Sequence, residues 1–167
     1  MPGEFVLTFP GSYHAGFSTG LNIGEAVNFV TKSWVDHGLK CQEIYRKSRE
    51  KIPVFPIDWL IVENIQNIDK TDLDLEARMK LKETYQKIFR DERKHRDAFE
   101  KLIKAQSDGL DKQKSVFEML EDRSKVAEDA YDCHYCTDYT YLSMVDCKFH
   151  KFQYCLNHML MCGCKSD

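Results

Sequence analysis

The chain has 167 residues, of which 43% are hydrophobic and 31% charged, a balance typical of one globular domain or two small ones. Its 24 basic and 27 acidic residues give a formal charge of -3, which excludes a chain-wide basic field that would attract nucleic acid. The sequence has no run of about 18 apolar residues and no secretory leader, so we expect no membrane partner and a reducing compartment.

Two short strands are predicted within residues 4–30. The segment EFVLTF is rich in β-forming residues, GEAVNFV resumes the apolar character, and a loop dense in glycine joins the two. The first strand would begin within four residues of Met1, with no preceding turn. We therefore interpret the chain as a piece excised from a longer protein.

Residues 31–130 predict mainly helices. One helix should run from residue 34 to 51, since Pro53 bars its continuation. A second, over about 72–105, has apolar residues at spacings of three and four opposite a charged face, the pattern of an amphipathic helix with one buried stripe. Within it, the run RDERKHRD at 90–97 is interpreted as a solvated face. A shorter helix is predicted over 114–130, with Gly109 as the break.

The last region, residues 131–164, carries eight potential metal ligands in four close pairs. They are Cys133 and Cys136, Cys147 and His150, Cys155 and His158, and Cys162 and Cys164, which include six of the seven cysteines. Two tetrahedral zinc ions need eight such ligands, and the segment is too short to fold around a hydrophobic core alone. A disulfide framework would leave the two interleaved histidines unexplained. The pattern therefore predicts two Zn²⁺ ions.

The four pairs can be used sequentially, as two separate knuckles, or crossed, first with third and second with fourth. We favour the crossed arrangement, because gaps of three and four residues are tight for separate knuckles. It assigns Cys133, Cys136, Cys155 and His158 to one zinc ion and Cys147, His150, Cys162 and Cys164 to the other. His134 lies between two ligands and is expected to be exposed. A RING finger would need a terminal C-x2-C pair after a longer loop, so the C-x-C ending argues against a ubiquitin ligase.

The run TFPGSYHAGFSTGLNIGEAVNF, residues 8–29, resembles the C-terminal iron-ligand segment of JmjC histone lysine demethylases. The family pattern is close to T-F-P-x-x-Y-H-x-G-F-N-x-G-x-N-x-A-E-A-V-N-F. The helix that begins near Trp34 and contains His37, Cys41 and Arg46 continues the likeness. The eight-ligand segment is similar to the C5HC2-type finger of the subgroup that acts on methylated lysine 4 of histone H3.

This resemblance implies an α+β, mainly α chain in three parts. Residues 1–31 would be an edge of a truncated double-stranded β-helix, 32–130 a helical domain and 131–167 the zinc finger. The complete protein would need Fe(II) and 2-oxoglutarate, since two histidines and a carboxylate hold iron in such oxygenases. By resemblance, His14 is a catalytic iron ligand and Asn28 lines the methyl-lysine pocket.

The resemblance also implies what this chain lacks. Only thirteen residues precede His14, so the other iron ligands and the lysine that anchors 2-oxoglutarate should lie in an N-terminal half with JmjN and JmjC segments. The chain alone is therefore expected to be inactive. That half, the histone H3 tail and a chromatin complex are the expected partners, and the nucleus is the expected location. A non-catalytic zinc-binding module that docks chromatin is the alternative.

Two departures from the family pattern matter. Ser18 stands where the family has asparagine, which removes an amide near the expected active site. His150 stands where the finger pattern has cysteine, and histidine binds zinc equally well.

Overall fold

The computed structural model describes residues 3–107, 116–120 and 131–164. Three helices precede a small antiparallel sheet with strand order β1-β2-β3. The elements are α1 (Val35–Ser48), α2 (Ile57–Gln66), α3 (Leu75–Ser107), β1 (Phe117–Met119), β2 (Val145–Cys147) and β3 (Gln153–Tyr154). Among the described helices, none combines the length and apolar character that crossing a bilayer requires. The described chain is mainly helical, as its sequence predicts, and its sheet lies in the C-terminal region.

The N-terminal segment differs from the prediction, because residues 3–31 contain neither of the two expected strands. It contains a turn in which the Ser12 N–H donates to the Phe9 carbonyl at 3.1 Å and Gly11 adopts φ 72°. Large apolar side chains here are exposed, Phe5 to 91% and Tyr13 fully. A strand is stable when a neighbouring strand pairs its backbone, and no described strand lies beside this segment. A double-stranded β-helix is therefore not seen in the described residues.

The helices begin and end where local chemistry places them. Arg49, in the left-handed conformation, ends α1 by donating its N–H to the Tyr45 carbonyl at 2.9 Å. Asp74 begins α3, since its Oδ1 accepts the Ala77 N–H at 2.8 Å as an N-cap. The three helices enclose one apolar core. Its buried members are Ile57, Ile61 and Leu81, with Trp34, Leu39, Phe55 and Tyr85 packed around them.

Gly38 provides a test of how closely this core is packed. It is buried in α1, and a Cβ there would lie 2.3 Å from Cζ3 of the Trp34 ring. Alanine favours a helix by about 1 kcal/mol over glycine, but overpacking a core costs about 1–3 kcal/mol. The ring also contacts Phe55, at 5.8 Å between centroids, which limits its retreat.

We therefore expect Gly38→Ala to lower the free energy of unfolding by about 1–2 kcal/mol. Urea titration followed by circular dichroism would measure it. Lys40→Ala, at an exposed position of the same helix, is the control and should change stability by less than about 0.5 kcal/mol. A higher urea midpoint for Gly38→Ala would contradict the packing described for Trp34.

The strand β1 replaces part of a predicted helix. Residues 114–130 were expected to be helical, but Phe117–Met119 pairs antiparallel with β2, Phe117 lying opposite Cys147. Phe117 is 3% exposed and joins a second core with Val145, Tyr154 and the α3 residue Phe99. Burial against the finger thus outweighs local helix preference. The rest of that prediction, residues 114–115 and 121–130, lies outside the described residues. The finger's sheet therefore begins upstream of the expected boundary at residue 131.

The charge run of α3 is only partly solvated, which corrects its interpretation as a solvated face. Arg96 donates from Nη2 to the Leu142 carbonyl at 3.1 Å, and Ser143 hydrogen-bonds Glu92. Arg93 and Lys94, between these two positions, are exposed. Residues four apart share one helix face, so Glu92 and Arg96 bind α3 to the finger while their neighbours face water.

Candidate metal centres

The first candidate centre joins a tight turn to a second arm of the finger. In the turn, Thr137 donates its N–H to the Cys133 carbonyl at 2.8 Å, which holds Cys133 and Cys136 side by side. The second arm follows β3, where the N–H of His158 donates to the Cys155 carbonyl at 3.0 Å. The four ligand atoms of this quartet lie within 4.8 Å of one another, and both turn cysteines are buried.

The second candidate centre forms around the end of β2. Lys151 donates its N–H to the Cys147 carbonyl at 2.8 Å, and this turn presents His150 beside Cys147. A 3₁₀ turn then ends at Gly163, whose φ of 69° lets Cys162 and Cys164 converge on the same point. The three sulfur atoms are 3.4–3.5 Å apart. The Nδ1 atom of His150 lies 3.1–3.9 Å from each of them.

Both quartets have the donor set and spacing that a zinc ion requires. Each offers three thiols and one imidazole, the closed four-ligand set of structural zinc sites. Zn–S bonds of about 2.3 Å place tetrahedral ligand atoms about 3.5–3.9 Å apart, close to the observed separations. All seven cysteines are free thiols, so no disulfide competes. Either quartet can therefore hold a metal ion, and a closed site of this kind stabilises a fold without supplying a reaction.

The thiol pKa values of the first centre show why a cation belongs there. Hydrogen bonds from Cys136 and Cys155 lower the pKa of Cys133 strongly. The same contact with Cys133 raises the pKa of Cys136 to about 11, and both neighbours raise that of Cys155 far above its usual range. One thiolate thus suppresses ionisation of the other two. A divalent cation supplies the charge that lets all three ionise together.

In the second centre, neighbouring thiols again shift one another's pKa values. Burial disfavours the Cys147 thiolate, but the His150 N–H and the thiols of Cys162 and Cys164 outweigh it and lower its pKa to about 7. Desolvation, followed by hydrogen bonds with Cys147 and Cys162, raises the pKa of Cys164 to about 12. Of these two thiols, Cys147 is therefore the more readily ionised.

The two quartets observed in the structure are those of the crossed arrangement. Ligand pairs that are neighbours in the sequence, such as Cys133/Cys136 and Cys147/His150, belong to different quartets. His134 lies outside both quartets and is exposed, with its ring stacked on Phe152 at 3.8 Å between centroids. His14 and Asn28 are exposed residues of the N-terminal segment. Within the described part of the chain, neither possible metal cluster includes His14.

A charged contact between α1 and the first centre is not apparent from the sequence. Asp138, two residues after Cys136, has a side chain only 4% exposed and accepts a 2.5 Å hydrogen bond from Nε of Arg46. Gln42 donates to the same carboxylate at 3.2 Å, while the Asp138 carbonyl accepts the Cys133 N–H at 2.8 Å. The Asp138 side chain is therefore hydrogen-bonded to α1, and its backbone carbonyl is hydrogen-bonded to the turn that holds Cys133 and Cys136.

The electrostatics of this contact favour an ionised pair. Burial disfavours the Arg46 guanidinium, but Asp138 and then Asp58 outweigh that cost and raise the pKa of Arg46. Burial, more than any other influence, raises the pKa of Asp58, whose carboxylate lies 3.9 Å from Nη2 of Arg46. Asp138, the closer carboxylate, is consequently the main anionic partner of Arg46. The inclusion of Arg46 in the family likeness was the one sequence signal for this contact.

Known proteins resemble the chain along nearly all of its length. A family model described as "JmjC domain, hydroxylase" matches residues 1–29. Lysine-specific demethylase 5D of Homo sapiens and of Pan troglodytes are each 32% identical over 167 residues, 99% of this chain and 10% of the relative. Lysine-specific demethylase rbr-2 of Caenorhabditis briggsae is 29% identical over 157 residues, 93% of this chain and 10% of that protein. No solved structure gives a significant match.

Two complete Cys/His quartets behind a helical core define a metal-binding chain. The matches add that residues 1–29 resemble the JmjC domain and that nearly the whole chain is similar to lysine-specific demethylases, as its sequence resemblance predicts. It spans about one tenth of the length of the curated relatives that it matches.

Proposed function

We propose that the chain is part of an Fe(II)- and 2-oxoglutarate-dependent histone demethylase that acts on methylated lysine 4 of histone H3. The observation that carries the proposal is that lysine-specific demethylases match 93–99% of the chain, including the JmjC segment and both metal quartets. The nucleus would be its location. The histone H3 tail and the remainder of the same protein would be its main partners.

In this proposal His14 is one ligand of the catalytic iron. It follows the turn at Pro10 and Gly11, whose backbone approaches α1: a Cβ on Gly11 would lie 3.9 Å from Cε1 of His37. Asn28 would line the pocket for the methylated lysine. When bound, the iron and 2-oxoglutarate supply the oxidation that removes an N-methyl group.

Among the described residues, no cluster of three or more possible metal ligands includes His14, and a single imidazole does not form the ligand triad. We therefore propose that the chain has no demethylase activity without the rest of the protein. The two zinc ions would stabilise the finger, whose sheet and apolar residues pack against α3.

His14→Ala tests the catalytic assignment. In the complete protein, we expect the substitution to lower demethylation of a trimethyl-lysine 4 peptide by more than the 10–100-fold that loss of an outer-shell partner typically costs. Formaldehyde release and mass spectrometry would measure it. Thr19→Ala, exposed in the same segment at a variable position of the family pattern, is the control and should keep wild-type turnover. Unchanged turnover in His14→Ala would reject the role of His14.

The alternative is a non-catalytic module that uses the zinc-stabilised scaffold to dock chromatin. It is favoured by one observation, that both zinc quartets are complete within the chain while no described cluster of three or more possible metal ligands includes His14. An assay of the complete protein distinguishes the enzyme from the docking module, because only the enzyme consumes 2-oxoglutarate in proportion to the methyl groups lost.

A further inference from the structure

An open cleft of about 380 Å³ lies over the second metal centre, beside the end of α1. It adjoins the second metal quartet, whose His150 and Cys162 contribute to its wall. The residues that line it are mainly aromatic or cationic: Arg49, His134, Tyr135, His150, Phe152 and Tyr154. Apart from the zinc ligands His150 and Cys162 in its wall, the proposed demethylation gives this cleft no role, so the cleft calls for its own explanation.

The cleft presents flat π surfaces that are already aligned. The rings of His134 and Phe152 are stacked, with centroids 3.8 Å apart and planes 8° from parallel, and Phe152 is 41% exposed. The guanidinium of Arg49 lies 4.7 Å above the Tyr135 ring. Nucleobases stack on aromatic rings and on guanidinium planes of this kind, whatever the base sequence.

The charge of the cleft complements a phosphate. Arg49 is its permanent cation, and among the described residues that line it none carries a carboxylate. With zinc bound, three thiolates and one ion would give the second centre a formal charge of -1. That charge lies at the His150 and Cys162 wall and would leave the Arg49 side as the favourable position for an anion.

We propose that this cleft binds single-stranded nucleic acid, with one or two unpaired bases on the Phe152–His134 stack and the adjoining phosphate at Arg49. Duplex nucleic acid is disfavoured because its base faces are already stacked and cannot reach these rings. A merely acidic peptide would use the cation and leave the aromatic stack without a role. This inference does not rest on the proposed demethylase activity, since it uses only the geometry of the finger and the end of α1.

The test is fluorescence anisotropy of labelled ten-nucleotide oligo-dT and oligo-U with the zinc-loaded chain at low salt. We expect saturable binding that weakens as salt rises, with the shallow slope of one or two phosphate contacts. A hairpin duplex of equal charge should bind more weakly. An acidic peptide of equal charge should not compete. No saturable binding at a protein concentration of about 100 µM, equal binding of the duplex, or displacement by the peptide would each overturn the proposal.

Point variants locate the site. Phe152→Ala should weaken binding roughly five- to hundredfold, the loss expected for one stacked base, and Phe152→Trp should retain it. Arg49→Gln should also weaken binding and reduce the dependence on salt. Phe149→Ala, which removes a 70% exposed aromatic ring outside the cleft, is the matched control and should bind as wild type. Each variant must retain its zinc content. If Phe152→Ala folds, retains zinc and binds as wild type, the assignment to this cleft is wrong.

Discussion

Paired cysteine substitutions should distinguish crossed from sequential ligand use. We expect Cys133→Ser with Cys155→Ser to leave one zinc ion per chain, because the structure places both sulfur atoms in one quartet. We expect Cys133→Ser with Cys147→Ser to leave none, because each substitution disables a different quartet. Structural zinc is worth about 10–16 kcal/mol in zinc-finger peptides, which rivals the stability of a whole domain. The second variant should therefore also lose the ordered structure of residues 131–164.

Sequential knuckles predict the opposite zinc content for these two variants. In that arrangement Cys133 and Cys147 serve one ion, so their joint loss would leave the other ion bound. The number of zinc ions per chain, measured by mass spectrometry under native conditions, distinguishes the crossed from the sequential arrangement. Cys41→Ser, which alters the α1 cysteine outside both quartets, is the control and should retain both ions. Loss of both ions from the Cys133 and Cys155 variant would contradict two independently held centres.

The contact between α1 and the finger should contribute measurably to stability outside the metal centres. We expect Asp138→Ala to lower the free energy of unfolding of the zinc-loaded chain by about 2–3 kcal/mol. Breaking a buried ion pair costs about 3–5 kcal/mol, and the lower figure reflects that the Arg46 side chain is 37% exposed and partly solvated. Gln42, which is buried, would also lose the carboxylate to which it donates.

Guanidinium chloride unfolding in excess zinc would measure this loss. Asp91→Ala is the matched control: it removes a carboxylate that pairs with Lys94 at 3.3 Å on the exposed surface of α3, and it should cost less than about 1 kcal/mol. If Asp138→Ala were no more destabilising than Asp91→Ala, the contact between α1 and the first metal centre would not contribute to the free energy of unfolding. The pair would then be an ordinary surface contact.

Much of the metal site could be predicted from the sequence because ligand chemistry is local. Close pairs such as Cys133 and Cys136 can be recognised by their spacing, since a short turn brings both sulfur atoms to one point. The crossed arrangement needed only the further argument that three- and four-residue gaps are too tight for separate knuckles. The long helix α3 was equally accessible, because its buried stripe repeats with the helical period over 33 residues.

The predictions that differ from the structure all depend on partners distant in the chain. Phe117 forms a strand because Cys147 pairs with it across the sheet, and nothing near residue 117 in the sequence specifies that pairing. The segment that contains His14 has strand-forming residues but no described strand beside it. Glu92 belongs to a charged run that is typical of a solvated surface, yet it faces Ser143 of the finger. Local patterns predict elements, whereas their tertiary contacts decide which of those elements form.

The central claim is that two metal ions hold the C-terminal finger together. Elemental analysis of the purified chain, repeated after treatment with a strong chelator, tests it most directly. We predict two zinc ions per chain before treatment and none afterwards, with loss of the dispersed amide signals of residues 131–164 in the nuclear magnetic resonance spectrum. A single zinc ion per chain, or a dispersed spectrum that survives complete removal of the metal, would contradict the account.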